Sequence, residues 1–449
     1  MRAARCFRPV SHWPFVPVIE DYVVLKMSYP MNHGHPGGHP QGAHGSTPGS
    51  APGSTPGRGG AMPPLDFDQA PFLVIWETTQ ACDLACKHCR AKAQPNRHPD
   101  ELTTAEAKGM LERIREFGRI IFVFSGGDAF KRPDIVELVK YGADLGLRMA
   151  ITPATTPLAT REIMQELKDA GLSRLAVSLD GSNSGIHDEF RQVCGSFDHG
   201  LRILKEAQEI GLTTQVNTVV RKNNLGDMDA MCQLMTELGI VFWEVFFLVP
   251  MGRAKPEDVA SAQGFENVFN KLYDLSKTAT FDIKATAAPQ YGRVVMQRRA
   301  AEQQEVDVLT GGTHHSLKDG IGRARNVTDG DGFMFISHVG DIYPSGFLPV
   351  KAGNVRSDDL VDVYRHSDLF RALRDRNNLK GKCHSCNYRP NCGGSRARAY
   401  AMTGDYHEAE PFCAYIPPHW QKLIDEGKVP GDAEYFAARF RAVEELPMM

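Results

Sequence analysis

From about residue 70 to residue 300, short runs of β-branched and aromatic residues alternate with longer stretches whose apolar positions recur at helical spacing. The runs predict strands at residues 72–77, 120–124, 148–152, 174–179, 214–220 and 241–249. Helical patterns between them include 104–117 and 161–170, the latter followed by the helix-terminating Gly171. Six strand–helix repeats predict a parallel α/β sheet with right-handed crossovers, whose chemistry lies at the carboxyl ends of the strands.

The composition changes sharply before this repeat. Of the 38 residues from Met27 to Pro64, 18 are Gly or Pro, and four His residues lie among them. Such a segment buries too little apolar surface to offset the conformational entropy lost on ordering. Residues 1–65 are therefore predicted to form a disordered Gly/Pro/His-rich tail.

Three cysteines directly follow the first predicted strand. Cys82, Cys86 and Cys89 have the spacing C-x3-C-x2-C. Three thiolates in one loop can bind three irons of a cubane cluster, whose irons are normally held by four cysteines, and they leave one iron open. Two alternatives are less consistent with the spacing. A structural zinc site usually has paired C-x2-C motifs, and a ferredoxin supplies its fourth cysteine nearby.

This loop resembles that of the radical S-adenosylmethionine (radical SAM) superfamily. The resemblance implies a partial (β/α)6 TIM-like barrel and a catalytic 4Fe-4S cluster whose open iron is chelated by S-adenosylmethionine. In that family, one electron cleaves the cofactor to a 5′-deoxyadenosyl radical, which abstracts hydrogen from substrate. The three cysteines, Cys82, Cys86 and Cys89, would carry this catalysis.

The resemblance also assigns residues to the cofactor. Ser-Gly-Gly-Asp at 125–128 follows the second strand, where the family carries a turn that binds the amino group of S-adenosylmethionine. Polar residues at later strand ends are expected to contact its ribose or carboxylate. The predicted cofactor-binding residues are Gly126, Gly127, Asp128, Ser178, Arg191 and Asn217.

A second group of cysteines lies near the end of the chain. Cys383, Cys386, Cys392 and Cys413 have the spacing C-x2-C-x5-C-x20-C, which by itself suits zinc or an iron-sulfur cluster equally. With a predicted hairpin at 332–346, the group resembles the SPASM or shorter twitch extension of radical SAM enzymes. The chain departs from the seven-cysteine SPASM pattern, and Ser345 stands near one expected cysteine. We therefore predict a single, fully ligated auxiliary 4Fe-4S cluster.

These segments predict the domain organisation. The tail at 1–65 precedes a radical SAM core at 66–300, a polar linker or lid at 301–331, and a small α+β SPASM/twitch-like iron-sulfur domain at 332–449. Cys6, Cys194 and Cys232 belong to neither cysteine group.

Charge adds little to this interpretation. The chain carries 51 basic and 54 acidic residues, so it has no basic excess suggesting a nucleic acid or a membrane as partner. Its longest nearly apolar run, 241–251, is interrupted by Glu244 and is too short to span a bilayer. Iron-sulfur clusters imply a reducing cytoplasm, and the family implies an electron donor such as a flavodoxin or a ferredoxin.

The substrate is less defined. The chain resembles the branch that holds heme-synthesising radical enzymes and peptide-modifying relatives, which implies a tetrapyrrole propionate or a ribosomally made peptide as substrate. Arg396 and Arg398 are candidates to bind propionates, or to lie beside the auxiliary cluster. A non-enzymatic alternative is an iron-sulfur electron-transfer protein or a zinc scaffold.

Overall fold

A computed structural model describes residues 66–118, 120–302 and 327–440. The predicted tail at 1–65 and most of the predicted linker or lid lie outside these residues. The strands are β1 (Leu73–Glu77), β2 (Ile121–Ser125), β3 (Arg148–Ile151), β4 (Leu172–Ser178), β5 (Thr214–Val220), β6 (Phe242–Phe247), β7 (Asp282–Thr286), β8 (Phe333–Ile336), β9 (Asp341–Tyr343) and β10 (Gly353–Asn354). The helices are α1 (Thr104–Arg115), α2 (Ile135–Asp144), α3 (Arg161–Asp169), α4 (Ser184–Arg191), α5 (Ser196–Glu209), α6 (Met228–Glu237), α7 (Ala262–Ser276), α8 (Gln290–Ala301), α9 (Leu360–His366), α10 (Asp368–Arg374), α11 (Gly381–His384), α12 (Arg396–Thr403), α13 (Pro418–Asp425) and α14 (Asp432–Ala437).

All ten strands belong to one sheet, in the order β10-β9-β8-β1-β2-β3-β4-β5-β6-β7. The neighbours from β8 to β7 are parallel, which confirms the predicted α/β class. All six predicted strands are present, and the sequence patterns missed the pairing of β7 with β6. The predicted hairpin is confirmed as β8 and β9, which are antiparallel, but β8 also joins the barrel sheet beside β1.

The local sequence explains how the helices start and what they bury. Thr103 and Glu106 form a reciprocal capping box at the start of α1, and the Thr160 hydroxyl accepts the first hydrogen bond of α3. Trp76 and Trp243, on β1 and β6, are completely buried in the core between sheet and helices. In the described residues, no helix combines the length and apolar character that a bilayer span requires.

A buried arginine joins the C-terminal segment to the barrel. The Arg398 Nε lies 2.9 Å from Glu410 Oε1, and both side chains are fully buried. Its remaining nitrogens donate to the backbone oxygens of Phe247, Leu248 and Ala287. The interpretation of Arg398 as a propionate-binding residue is therefore wrong, because a carboxylate of the protein and three carbonyls already occupy the guanidinium.

Candidate active site

The three cysteines after β1 line a cavity with a volume of about 530 Å³. Its size is typical of a small-molecule site. Backbone N–H groups already face two of the sulfurs, since Leu84 N lies 3.4 Å from Cys82 Sγ and Ala93 N lies 3.3 Å from Cys89 Sγ. The loop therefore brings Cys82, Cys86 and Cys89 to one cavity.

These donors test whether a cluster fits. Burial raises the pKa of Cys82 to about 12 and also raises the pKa of Cys86, so protonated thiols are favoured when no metal is bound. Iron ligation replaces those protons. The N–H groups at Cys82 and Cys89 then face thiolate ligands and compensate their charge. Three thiol donors with aligned N–H groups fit an iron-sulfur cluster.

The Gly-Gly turn after β2 lies against the cysteine loop. Gly126 has φ +140°, and a Cβ there would lie 2.6 Å from Thr79 O. A Cβ on Gly127 would lie 2.4 Å from Ala81 O. Gly127 N also donates to Thr79 O at 2.7 Å. Glycine is therefore required here by the close approach of two backbones, in addition to any contact with a cofactor.

The turn yields a prediction. Gly127→Ala should displace the loop that carries Cys82, because no side chain can yield at a backbone contact of 2.4 Å. We expect substoichiometric iron at the catalytic cluster and a loss of stability of about 1–3 kcal/mol, measured by iron analysis and denaturant unfolding. The control is Gly109→Ala in α1, where a Cβ meets no atom within 4 Å. Full iron content in the Gly127 variant would contradict the prediction.

Five of the six predicted cofactor-binding residues line the cavity, and Asp128 does not. The five are Gly126, Gly127, Ser178, Arg191 and Asn217.

Asp128 does not line the cavity. Its carboxylate is fully buried and accepts hydrogen bonds from Phe130 N at 3.1 Å and the Thr156 hydroxyl at 2.7 Å. The side chain therefore secures the loops after β2 and β3.

Arg191 is held beside the cysteine loop. Its Nε lies 2.6 Å from Asp180 Oδ2, and its Nη1 lies 3.8 Å from Cys86 Sγ. Burial of Asp180 alone would raise the pKa of its carboxyl, but Arg191 outweighs burial and the pKa is lowered. The pair therefore fixes a guanidinium between the end of β4 and the central cysteine.

The sequence patterns missed two residues of the polar wall of the cavity, Glu244 and Lys284. Ser178, Asn217, Glu244 and Lys284 pair in register across β4 to β7, and all four line the cavity. Glu244 accepts from Gln215 Nε2 at 2.9 Å, and its other oxygen lies 3.4 Å from Lys284 Nζ. The signal for this wall was Glu244 itself, a charge within an otherwise apolar run.

The opposite wall is apolar. It is lined from β1, β2 and β8 by Leu73, Ile75, Ile121, Val123, Phe333 and Phe335. A second missed group lies at its edge. The Glu77 carboxylate is buried, 2.7 Å from Arg90 Nη1 and 2.8 Å from His338 Nδ1. Burial works to raise the pKa of Glu77, but these two neighbours outweigh it and lower the pKa. The group ties the cysteine loop to the β8–β9 hairpin.

The four later cysteines line a second, smaller cavity together. Burial raises the pKa of each thiol, and that of Cys413 to about 12. Within the described residues, no group of three or more His, Cys, Asp or Glu side chains is placed to hold a single metal ion. In a cubane each cysteine holds its own iron, so thiols spread around a cavity suit a cluster. Residues next to this group, Asn391 and Ser395, also line the main cavity.

Comparisons with known proteins agree with this geometry. Residues 76–235 match the model of the Radical SAM superfamily. The chain is 41% identical over 348 residues to an AdoMet-dependent heme synthase of Methanosarcina barkeri, covering 78% of this chain and 97% of that protein. It is 28% identical over 355 residues to a PqqA peptide cyclase of Bradyrhizobium diazoefficiens, covering 78% and 87%.

A solved structure supports the fold. The crystal structure of Streptococcus suis SuiB bound to S-adenosylmethionine aligns with a TM-score of 0.58 at 17% identity, covering 77% of this chain and 78% of SuiB. This likeness confirms the predicted partial TIM-like barrel.

Proposed function

Since the chain belongs to the radical SAM superfamily and is a radical SAM enzyme, we propose that its substrate is a tetrapyrrole bearing propionate side chains. The observation that carries this proposal is the similarity to the AdoMet-dependent heme synthase, which extends over nearly the whole of that protein. The peptide cyclase is a more distant relative. Family membership excludes the non-enzymatic alternative.

The two-sided cavity supports this substrate class. A porphyrin has wide apolar faces and carboxylates confined to its rim. The wall formed by β1, β2 and β8 offers apolar side chains to a face, and the opposite wall places Lys284 and Glu244 at the height of Ser178 and Asn217. An ammonium group in a partly desolvated cavity forms a charge-assisted hydrogen bond with a carboxylate.

In the proposed mechanism each part of the chain has a defined task. Cys82, Cys86 and Cys89 would hold the 4Fe-4S cluster, which with bound S-adenosylmethionine would supply a 5′-deoxyadenosyl radical for hydrogen abstraction. The Gly126–Gly127 turn, Ser178, Asn217 and Arg191 bind and orient the cofactor. Lys284 holds a substrate carboxylate, and the apolar wall excludes water from the reacting carbon.

The second cysteine group and an external electron donor complete the proposed function. Cys383, Cys386, Cys392 and Cys413 are proposed to hold one auxiliary 4Fe-4S cluster. Their shared cavity and raised thiol pKa values support this assignment, since such thiols release protons on metal binding. A flavodoxin or ferredoxin would supply the electron for cofactor cleavage, in a reducing cytoplasm.

The function is tested with anaerobically reconstituted protein, dithionite, S-adenosylmethionine and an iron porphyrin that carries propionates. We expect 5′-deoxyadenosine release and a porphyrin product that has lost carbon dioxide and hydrogen, measured by mass spectrometry. An unchanged porphyrin, with the cofactor cleaved, would reject the substrate class and favour peptide modification.

Lys284 offers a sharper prediction. Lys284→Met should weaken porphyrin binding roughly 10- to 100-fold, the value of a hydrogen bond to a charged group, about 1.5–3 kcal/mol. Absorbance titration measures the affinity. The control is Lys271→Met in α7, which removes the same charge from a surface pair with Asp229. A porphyrin whose propionates are methyl esters should bind both variants equally. Unequal binding of the ester would contradict the role.

A further inference from the structure

Arg396 is a buried cation whose described hydrogen-bond acceptors are all backbone oxygens. Only 3% of the residue is exposed, and its described hydrogen-bond acceptors are the backbone oxygens of Gly394, Tyr406 and Glu408. These acceptors are neutral. No described residue accepts a hydrogen bond from Arg396 Nη2, although this nitrogen is buried. A buried cation without a compensating anion is costly, so the fold is expected to provide one.

The adjacent anion site is the auxiliary cysteine group. A Cβ built on Gly394 would lie 2.7 Å from Arg396 Nη2, 2.7 Å from Glu410 Cβ and 3.4 Å from Cys383 Sγ, so these atoms surround one point. The Glu410 carboxylate is already paired with Arg398. The free guanidinium nitrogen therefore lies next to a cluster ligand.

A second buried donor lies beside the same cysteine group. Gln290, at the start of α8, is 1% exposed and lines the cavity with the four cysteines. Neither its amide nitrogen nor its amide oxygen has a hydrogen-bond partner among the described residues. An amide left unpaired in this way is destabilising, and sulfur acceptors in the cavity would recover that loss.

Three other cations line the cavity of the four cysteines: Arg389 is partly exposed and donates to the His384 backbone oxygen, and the other two are neutralised by carboxylates. Arg293 lies 2.5 Å from Glu266 Oε2, and Lys382 forms an ion pair with Asp432. Both therefore contribute less net charge at the cysteines than Arg396 does.

We propose that Arg396 is the counter-ion of the auxiliary cluster and that Arg396 and Gln290 donate N–H bonds to its sulfur atoms, which raises its reduction potential. This inference rests on the auxiliary cluster proposed above. Positive charge and hydrogen bonds to sulfur stabilise the more negative, reduced state of a cluster. Arg396 is thus a positioning residue for the cluster and has no direct contact with substrate in this proposal.

The test isolates the auxiliary cluster. In the full chain carrying Cys82→Ala, Cys86→Ala and Cys89→Ala, we expect about four irons per chain, as one cubane requires, and one EPR-active cluster. Its midpoint potential is measured by EPR-monitored redox titration. Arg396→Met should lower the potential, Arg396→Lys should restore most of it, and Gln290→Leu should lower it less. The control Arg371→Met removes an exposed arginine of α10 and should leave the potential unchanged.

Each outcome decides the proposal. Unchanged potentials in both Arg396→Met and Gln290→Leu would overturn it, as would the absence of iron in the cysteine background. If Arg396→Met fails to fold, a lowered potential in Gln290→Leu with a near-normal one in Arg396→Lys supports it. In that case, an unchanged Gln290→Leu potential overturns it. No substrate is present, so an error in the tetrapyrrole assignment does not affect the result.

Discussion

Replacing Cys86 by alanine is expected to reduce 5′-deoxyadenosine release to the level of the protein-free reaction. Cys86 is the buried central cysteine of the loop and a proposed cluster ligand, and Arg191 Nη1 lies 3.8 Å from its sulfur. Its loss leaves Cys82 and Cys89 as thiol ligands and Arg191 facing an alanine methyl group. Chromatography of reactions with dithionite and S-adenosylmethionine measures the product.

The matched control is Cys232→Ala. Cys232 lies in α6, and its thiol packs against the barrel core, away from both cysteine groups. Loss of this thiol should preserve cofactor cleavage and both iron sites, with a modest loss of stability from the smaller side chain. Cofactor cleavage at an undiminished rate by the Cys86 variant would refute the assignment of the catalytic cluster.

Cys386→Ala should separate the two steps of the reaction. We expect cofactor cleavage to persist, because Cys386 lines the second cavity and does not line the first. Conversion of the porphyrin should be lost. Parallel assays of 5′-deoxyadenosine and porphyrin product measure the split, and iron analysis checks that only the auxiliary site is depleted.

The opposite pattern would be informative. If Cys386→Ala abolished cofactor cleavage while iron at Cys82, Cys86 and Cys89 was retained, the second cysteine group would be required for radical generation. If the variant converted porphyrin normally, the auxiliary cluster would have no part in turnover.

Local sequence patterns predicted much of the fold. Strands β1 to β6 have strong apolar patterns. The helices between them have recognisable ends, as in α3, which begins after the Thr160 cap and is followed by Gly171. β7 was missed because its five residues, Asp-Ile-Lys-Ala-Thr, include two charged residues and lack a continuous apolar run. The pairing of β8 with β1 was missed because it joins residues some 260 positions apart, and no local pattern encodes such a contact.

The site was predictable where spacing along the chain carries the chemistry. Each cysteine group lines a cavity of its own. The roles of Asp128 and Arg398 were not predictable, because their partners Thr156 and Glu410 come from other loops. Lys284 was missed for a similar reason, since its position on the cavity wall depends on the register of β6 with β7.

The position of β8 in the sheet has a consequence for synthesis on the ribosome. β1 pairs with β2 early, but its other edge pairs with Phe333–Ile336. At about 5–20 residues per second, β8 emerges on the order of tens of seconds after β1. Until then the nascent chain presents an unpaired strand edge that can pair with other chains. Completion of the barrel therefore waits for the segment that also carries the second cysteine group.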